Sequence, residues 1–460
     1  MSLNKIAVSI LLGIATIGTP ILASAPAMAA EAMTMTAPAG LKVSDWTPTS
    51  VGLKWTAVAG APQYRIQFSK TPDMKNAEYA RSIGNSPSAD IRGLTPGVKY
   101  YFKIRVITTG GVDLSPYSQA SVSVTTKLKP VLPAVKYPLS VATYNIHCAN
   151  CNADPSNSWI NRRASVVAAI KSKMPDVIGL QEASQAWLKD EKGNQINLSQ
   201  FEDLQNRLNA AGANYQVTNP NRNNCEKSTT PSNCVYKDQG SSLDAKIFYN
   251  KSTVTLLNQG SSLLPNMVGA TGTRYVSWAL LRQNSTGQEF FFADAHLQPG
   301  SGNNAYSDAR KAQAQKMTEV IKAKNTTNAA VIIAGDMNSS KWATPANDPY
   351  NVFTQAGYVD PIGGTANTSL SSGYATAEKM TNARYNSYSG FFRQLGSTSV
   401  AGPFALGSHI DYIFTSKMRV TEWEQVLNVD STGIFQGIIP SDHNMIYAKV
   451  ELPPASITAK

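Results

Sequence analysis

Residues 311–338 read KAQAQKMTEVIKAKNTTNAAVIIAGDMN. Lys311 to Lys324 carries the 3.6-residue apolar spacing of an amphipathic helix. Ala329-Ala330-Val331-Ile332-Ile333-Ala334 is a short uninterrupted apolar run, as expected of a strand buried on both faces. It stops at Gly335-Asp336-Met337-Asn338. The same pairing occurs earlier: Ala164 to Met174 puts Val166, Val167 and Ile170 on one helix face, and Asp176-Val177-Ile178-Gly179-Leu180 follows as a buried strand. Helix and buried strand in alternation make residues 137–452 an α/β domain of roughly 300 residues.

Upstream the texture changes. Val51-Gly52-Leu53-Lys54-Trp55, Tyr64-Arg65-Ile66-Gln67-Phe68 and Tyr100 to Val106 place apolar side chains at every second position, with Gly60, Gly97 and prolines between them. That is the period of half-buried strands, and several in about 90 residues make an antiparallel, immunoglobulin-like sandwich over residues 37–127. Leu53-Lys54-Trp55 and Leu94-Thr95-Pro96-Gly97-Val98-Lys99-Tyr100 resemble a fibronectin type III domain, a fold that serves as a spacer or adhesive module. Residues 128–136, with Pro130 and Pro133, read as a stiff linker, and residues 453–460 as a tail. At the N terminus, Lys5, an apolar run from Ile6 to Leu22 and the ending Ala27-Met28-Ala29 have the layout of a cleaved secretory signal over residues 1–29. The expectation is a secreted, extracellular, monomeric protein without a transmembrane anchor after cleavage.

Export gives the four cysteines an oxidising setting. Three pairings are possible, and the close spacings favour Cys148 with Cys151 and Cys225 with Cys234. A zinc site is the weaker reading, because a second C-x-x-C is missing. The formal charge is +11, from Lys5, 12 Lys/Arg against 6 Asp/Glu over residues 31–130 and 28 against 24 over 131–460. The excess suits an acidic partner such as nucleic acid, but it is spread without a basic cluster and serves solubility or wall contact equally well.

Each strand expected in the α/β domain ends in polar residues of one chemical type. Leu139 to Tyr144 ends at Asn145, and Val177 to Leu180 at Gln181-Glu182. Phe290 to Ala293 ends at Asp294-Ala295-His296, and Val331 to Ala334 at Gly335-Asp336-Met337-Asn338. Ile410 leads through Asp411 into Tyr412-Ile413-Phe414, and Ser441-Asp442-His443-Asn444 precedes Met445 to Val450. Singly these are ordinary turns, caps and solvated ends. Together they supply hard oxygen ligands and groups that titrate near neutrality. His409, two residues from Asp411, is expected on the same strand face. His147 reads as a loop residue beside the Cys148 to Cys151 turn.

The ordered set Asn145, Leu180-Gln181-Glu182, Arg274, His296-Leu297, Gly335-Asp336-Met337-Asn338, Ile410-Asp411-Tyr412 and Ser441-Asp442-His443-Asn444 resembles the endonuclease/exonuclease/phosphatase superfamily. That resemblance implies a four-layered α/β sandwich, two packed sheets flanked by helices, with the site at one edge. It implies Glu182 as main ligand of Mg²⁺ (or Mn²⁺ or Ca²⁺), with Asn145 and Asp442 beside it. Asp336 would position the attacking water and Asn338, two apart on one strand face, the pentacovalent phosphate. His443, held by a carboxylate such as Asp411, would act as base or phosphate clamp, and His296 as acid or transition-state donor. Arg274 matches a phosphate-contacting arginine. Two departures stand out: Asp294 replaces an asparagine common ahead of the first histidine, and the carboxylate partner of His296 is expected near Asp244.

The reading is therefore a divalent-metal-dependent phosphodiester hydrolase, foremost a nuclease on DNA or RNA. A sphingomyelinase-like phospholipase C would need an exposed apolar hairpin, and no such run is evident. An inositol-phosphate phosphatase would need a basic cluster at the site. An adhesion protein with an inactive hydrolase domain is disfavoured by the intact set of metal and histidine positions.

Overall fold

The computed structural model describes residues 34–82, 84–128, 133–149, 151, 154–219, 244–267, 273–300, 304–340, 343, 347–363, 376–397 and 406–454. The expected signal segment, the Cys225 to Cys234 bridge and most of the tail lie outside them. Seven strands form the N-terminal sandwich: β1 Lys42–Trp46, β2 Ser50–Lys54, β3 Gln63–Ser69, β4 Glu78–Arg81, β5 Ser88–Arg92, β6 Lys99–Ile107 and β7 Val122–Thr125. They make a β1-β2-β5 sheet and a β4-β3-β6-β7 sheet. Along β3, Tyr64, Ile66 and Phe68 are buried, and Trp55 packs edge-on against Tyr64 at 5.1 Å. Strand β2 does not alternate, since Ser50 to Leu53 are all buried. Gly52 lies so close to Asp45 that any side chain there would strike its carboxylate.

Among the described residues the second unit has fourteen strands, β8 Leu139–Asn145, β9 Val177–Gln181, β10 Trp187–Lys189, β11 Gln195–Ser199, β12 Tyr215–Val217, β13 Lys246–Asn250, β14 Val254–Leu263, β15 Tyr275–Gln283, β16 Glu289–His296, β17 Ala330–Asp336, β18 Met380–Thr381, β19 Asp411–Thr415, β20 Arg419–Val426 and β21 Met445–Glu451. Its helices are α1 Trp159–Lys173, α2 Gln200–Ala210, α3 Asn304–Lys324 and α4 Asp348–Gln355. One sheet runs β12-β13-β9-β8-β21-β20-β18 and the other β14-β15-β16-β17-β19. β8-α1-β9 and β16-α3-β17 are each a parallel strand pair joined through a helix.

Both long helices begin earlier than apolar spacing indicates. Polar groups anchor their N-terminal halves: Trp159 Nε1 donates to Asp203 at 2.8 Å, and Arg310 donates to the carbonyls of Gln298 and Gly300. A periodicity of apolar residues does not register such anchors.

Four layers result. Trp159, Val166 and Ile170 of α1 and Phe201, Leu204 and Leu208 of α2 pack on the outer face of the first sheet. Ala314, Met317 and Ile321 of α3 and Phe353 of α4 cover the second. Between the sheets, Leu139, Val141, Val177, Phe290, Phe292, Ile332, Ala334, Ile413 and Ile446 form the central core. Because successive side chains alternate faces, each strand continues that inward row toward one edge. There it turns polar: Leu139, Val141, Thr143, Asn145 on β8; Phe290, Phe292, Asp294, His296 on β16; Ile332, Ala334, Asp336 on β17. The polar edge of the sandwich holds the candidate site.

Candidate active site

Register brings the strand ends into line. His296 pairs with Asp336 across the β16/β17 ladder, and Asp336 with Asp411 across β17/β19, so these three side chains form one inward-facing row. On the facing sheet Asn145 pairs with Gln181. The chain then turns sharply. His147, Glu182 and Asn338, one or two residues beyond their strands, all have left-handed backbone, with φ of 50°, 55° and 48°. Such conformations cost of order 1 kcal/mol each for non-glycine residues and cluster at functional sites.

Asp336 lies at the centre. Its Oδ2 accepts from Asn145 Nδ2 at 3.1 Å, and its Oδ1 from the Asn338 amide at 2.8 Å. His296 Nε2 and His443 Nε2 reach the same Oδ2 at 3.5 and 3.7 Å, so two imidazoles flank one carboxylate. His443 Nδ1 donates to Asp411 at 3.0 Å. Burial alone would lower His443, but Asp411 and Asp336 outweigh it and raise the imidazole to about 10, so it is cationic at neutral pH. Burial raises Asp411 despite its cationic partner. Tyr388 sits edge-on to the His443 ring at 5.0 Å.

On the other histidine, Nδ1 of His296 lies 3.6 Å from Asp244 Oδ2, which Arg274 Nη1 also approaches at 3.9 Å. Burial pushes Asp244 up, yet His296 and Arg274 together hold it below the usual carboxylate range. Arg274, Asp244 and His296 thus form a chain of polar contacts leading into the site.

Glu182 accepts from Asn145 Nδ2 at 3.2 Å and from the Cys148 amide at 2.9 Å. Asp442 is lifted by burial but kept below its ordinary value by His147 and His443. Its backbone is tied down by Ser389 and Gly390, and Ser441 Oγ donates to the Asn145 carbonyl at 2.7 Å. The buried Arg162 donates to the carbonyls of Ile146, His147 and Pro440, binding the two loops together.

The donor set suits a hard divalent cation. Asp336, Asp411 and His443 offer ligand atoms within 4.8 Å of one another, Glu182 joins them through Asn145 and Asp442 through His147, and carboxylate-rich sites of this kind hold Mg²⁺, Mn²⁺ or Ca²⁺. Asn145 meets Glu182 and Asp336 through its Nδ2 because its Oδ1 accepts from His147 N. Offering oxygen to a cation would require that amide to turn over. Cys148 and Cys151 are joined in a disulfide and supply no thiolate.

Three placements differ from the sequence expectation. Asn338 lies beyond the end of β17 rather than two apart from Asp336 on a strand face, and its Nδ2 donates to the Leu297 carbonyl at 3.1 Å. His409 precedes β19 and is fully buried, its ring 5.4 Å from Trp423. His147, read as a loop residue, stands in the site with Nδ1 3.2 Å from Asp442 Oδ2 and 3.7 Å from Glu182 Oε2. Its signal was adjacency: it follows Asn145 by two. A second surprise is an apolar rim. Tyr388 and Phe392 are 51% and 73% exposed, Ile434 and Ile438 37% and 55%, and pairing of Gln394 with Ile434 unites their segments. A separate cleft of about 940 Å³ lies at the opposite ends of β16 and β17, near Glu289 and Ala330, far from these residues.

Residues 142–443 match the Endonuclease/Exonuclease/phosphatase family, and residues 36–124 the fibronectin type III domain. Among curated proteins none matches the chain. Similar solved structures include an endonuclease/exonuclease/phosphatase family protein from Bacteroides thetaiotaomicron, 20% identical over 68% of this chain and 97% of that one, with TM-score 0.48. Another is the endonuclease/exonuclease/phosphatase from Bacteroides vulgatus, with 23% identity, 69% and 100% coverage and TM-score 0.47. A third, D. rerio TDP2 complexed with single strand DNA product, is 17% identical over 68% and 99%, with TM-score 0.41.

Proposed function

From the premise that this chain belongs to the endonuclease/exonuclease/phosphatase family, we propose that it is an exported, Mg²⁺-dependent phosphodiesterase with nucleic acid as its foremost substrate. One observation carries the reading: His296, Asp336, Asp411 and His443 meet at a single edge with Asn145, Glu182 and Asp442.

Glu182, Asp442 and Asn145 are the residues that would hold the cation. When bound, it supplies Lewis-acid charge to the phosphoryl and leaving oxygens. His443, kept cationic by Asp411, clamps a phosphate oxygen through Nε2–H. Asp336 accepts a hydrogen bond from the attacking water and orients it. His296, positioned through Nδ1 by Asp244, donates from Nε2 to the phosphoryl group or leaving oxygen. Arg274 adds a guanidinium contact to a neighbouring phosphate.

The rim supports the substrate class. Planar rings beside a phosphate site stack bases without regard to sequence, each worth about 1–3 kcal/mol. The same rim favours a second reading, a phospholipase C-like enzyme in which Phe392 and Ile438 enter a membrane. Incubation with Mg²⁺ and plasmid DNA, single-stranded DNA, sphingomyelin vesicles or inositol phosphates distinguishes them. Cleavage of DNA alone is expected. Turnover confined to sphingomyelin would replace the first reading with the second. Glu182→Gln and His296→Ala should each lose about 10²–10⁴-fold in kcat while remaining folded, and full activity in either removes that residue's role. For export, N-terminal sequencing of the mature protein should begin at Ala30.

A further inference from the structure

The surroundings of His147 are built to present one ring nitrogen to two carboxylates. The residue occupies a left-handed conformation, φ 50°, that its β-carbon disfavours. Four contacts hold it there. Asn145 Oδ1 accepts from its amide at 3.0 Å, Gln200 Nε2 donates to its carbonyl at 2.8 Å, Arg162 donates to the same carbonyl, and the adjacent Cys148 closes a disulfide to Cys151. The next amide, Cys148 N, binds Glu182 Oε2, coupling the loop to the carboxylate it faces.

The side chain is 12% exposed and packs edge-on against Phe391 at 5.0 Å. Both ring nitrogens are buried without a hydrogen-bond partner among the described residues. Nevertheless Nδ1 stands 3.2 Å from Asp442 Oδ2 and 3.7 Å from Glu182 Oε2. Donors at ~2.1 Å from an octahedral ion sit about 3 Å from one another. The nitrogen is therefore spaced from each of these two oxygens much as neighbouring ligands of an ion are, without the alignment of a hydrogen bond.

We propose that His147 is a metal-binding residue, giving the cation held by Glu182 and Asp442 a nitrogen donor through Nδ1. The inference rests on the metal-dependent reading above and specifies its ion. An imidazole adds little for Mg²⁺, which takes oxygen and keeps its waters, but favours Mn²⁺ and Co²⁺. The competing role, a positive charge standing where the ion would sit, makes the opposite prediction: removing the ring should then tighten metal binding.

The test uses the full chain, stripped of metal and titrated calorimetrically with Mn²⁺ and with Mg²⁺. Pulsed EPR of the Mn²⁺ form reads nitrogen coordination directly. In His147→Ala and His147→Gln, Mn²⁺ affinity should fall by about tenfold or more, the minimum expected when even outer-shell partners cost 10–100-fold. Mg²⁺ affinity should change less, and the ¹⁴N modulation of the wild type should weaken. Unchanged or tighter Mn²⁺ binding with the modulation intact would overturn the proposal while leaving the parent reading in place, provided Glu182→Gln still abolishes binding. Absence of divalent-cation binding in the wild type would overturn both. Near-ultraviolet circular dichroism, unchanged in at least one variant, keeps a folding defect from imitating the expected loss.

Discussion

Two buried ionisable groups in the catalytic unit titrate with opposite consequences for stability. Lys246 is fully buried, with Nζ donating to the Asn219 carbonyl and lying 4.8 Å from the Phe201 ring. Burial lowers it to about 7, against the pull of Asp244 and Glu202. Between about pH 7 and its ordinary 10.5 the unfolded chain binds more protons here, so this residue's contribution to stability rises with pH. His443 runs the other way: raised to about 10, its contribution is complete below about pH 6.5 and is lost as pH climbs through 10. In metal-free protein, the urea stability of Lys246→Met relative to wild type should fall between pH 7 and 9.5. That of His443→Gln should rise. Parallel profiles for wild type and both variants would show that neither group titrates as its surroundings demand. The sequence marked His443 through its Ser-Asp-His-Asn string, yet left Lys246 unremarked, because a lysine in a strand is ordinarily solvated and only the packed fold desolvates it.

At the scale of the element, the site depends on two strands lying close. Gly335 has φ 148°, and a β-carbon there would fall 2.2 Å from the Ala295 carbonyl oxygen on the adjacent strand. That ladder sets His296 beside Asp336. Gly335→Ala should therefore cost ~2–4 kcal/mol of unfolding free energy, from backbone strain plus overpacking. It should lower turnover as well, since forcing β16 from β17 moves His296 away from Asp336. Urea unfolding with a parallel rate measurement checks this, and a variant matching wild type in both would deny the close approach. The strands were legible as strands from their apolar runs. Their precision was not: Gly335 reads as a turn residue in Gly-Asp-x-Asn, whereas it belongs to β17. The departure at Asp294 has a counterpart across the sandwich. Gln181 Nε2 donates to its Oδ1 at 2.6 Å, and Gly179 leaves the space its carboxyl fills. Burial raises Asp294 well above its ordinary value.

For the whole molecule, charge makes the substrate classes separable. The +11 balance is diffuse, so attraction to a polyanion is long-ranged and screened rather than local. If nucleic acid is the substrate, kcat/KM on DNA should drop about tenfold or more between 50 and 200 mM salt, while turnover of a small phosphodiester changes by about twofold or less. Equal sensitivity would argue against an extended polyanion in the site.

The sequence by itself determined the two kinds of architecture and the order of polar strand ends, because apolar periods of 2 and 3.6 are local properties that each element carries alone. It also named the family through residues spread along the chain. Only the tertiary structure decided which of those residues share a site. Asn145 meets Asp336 across 191 positions and Ser441 across 296, distances over which no local pattern extends. The place of His147, the position of Asn338 beyond its strand and the apolar rim drawn from two segments all follow from how two sheets pack face to face, with left-handed residues after β8, β9 and β17 redirecting the chain. Convergence of that kind is a consequence of packing and is not written in any single stretch of chain.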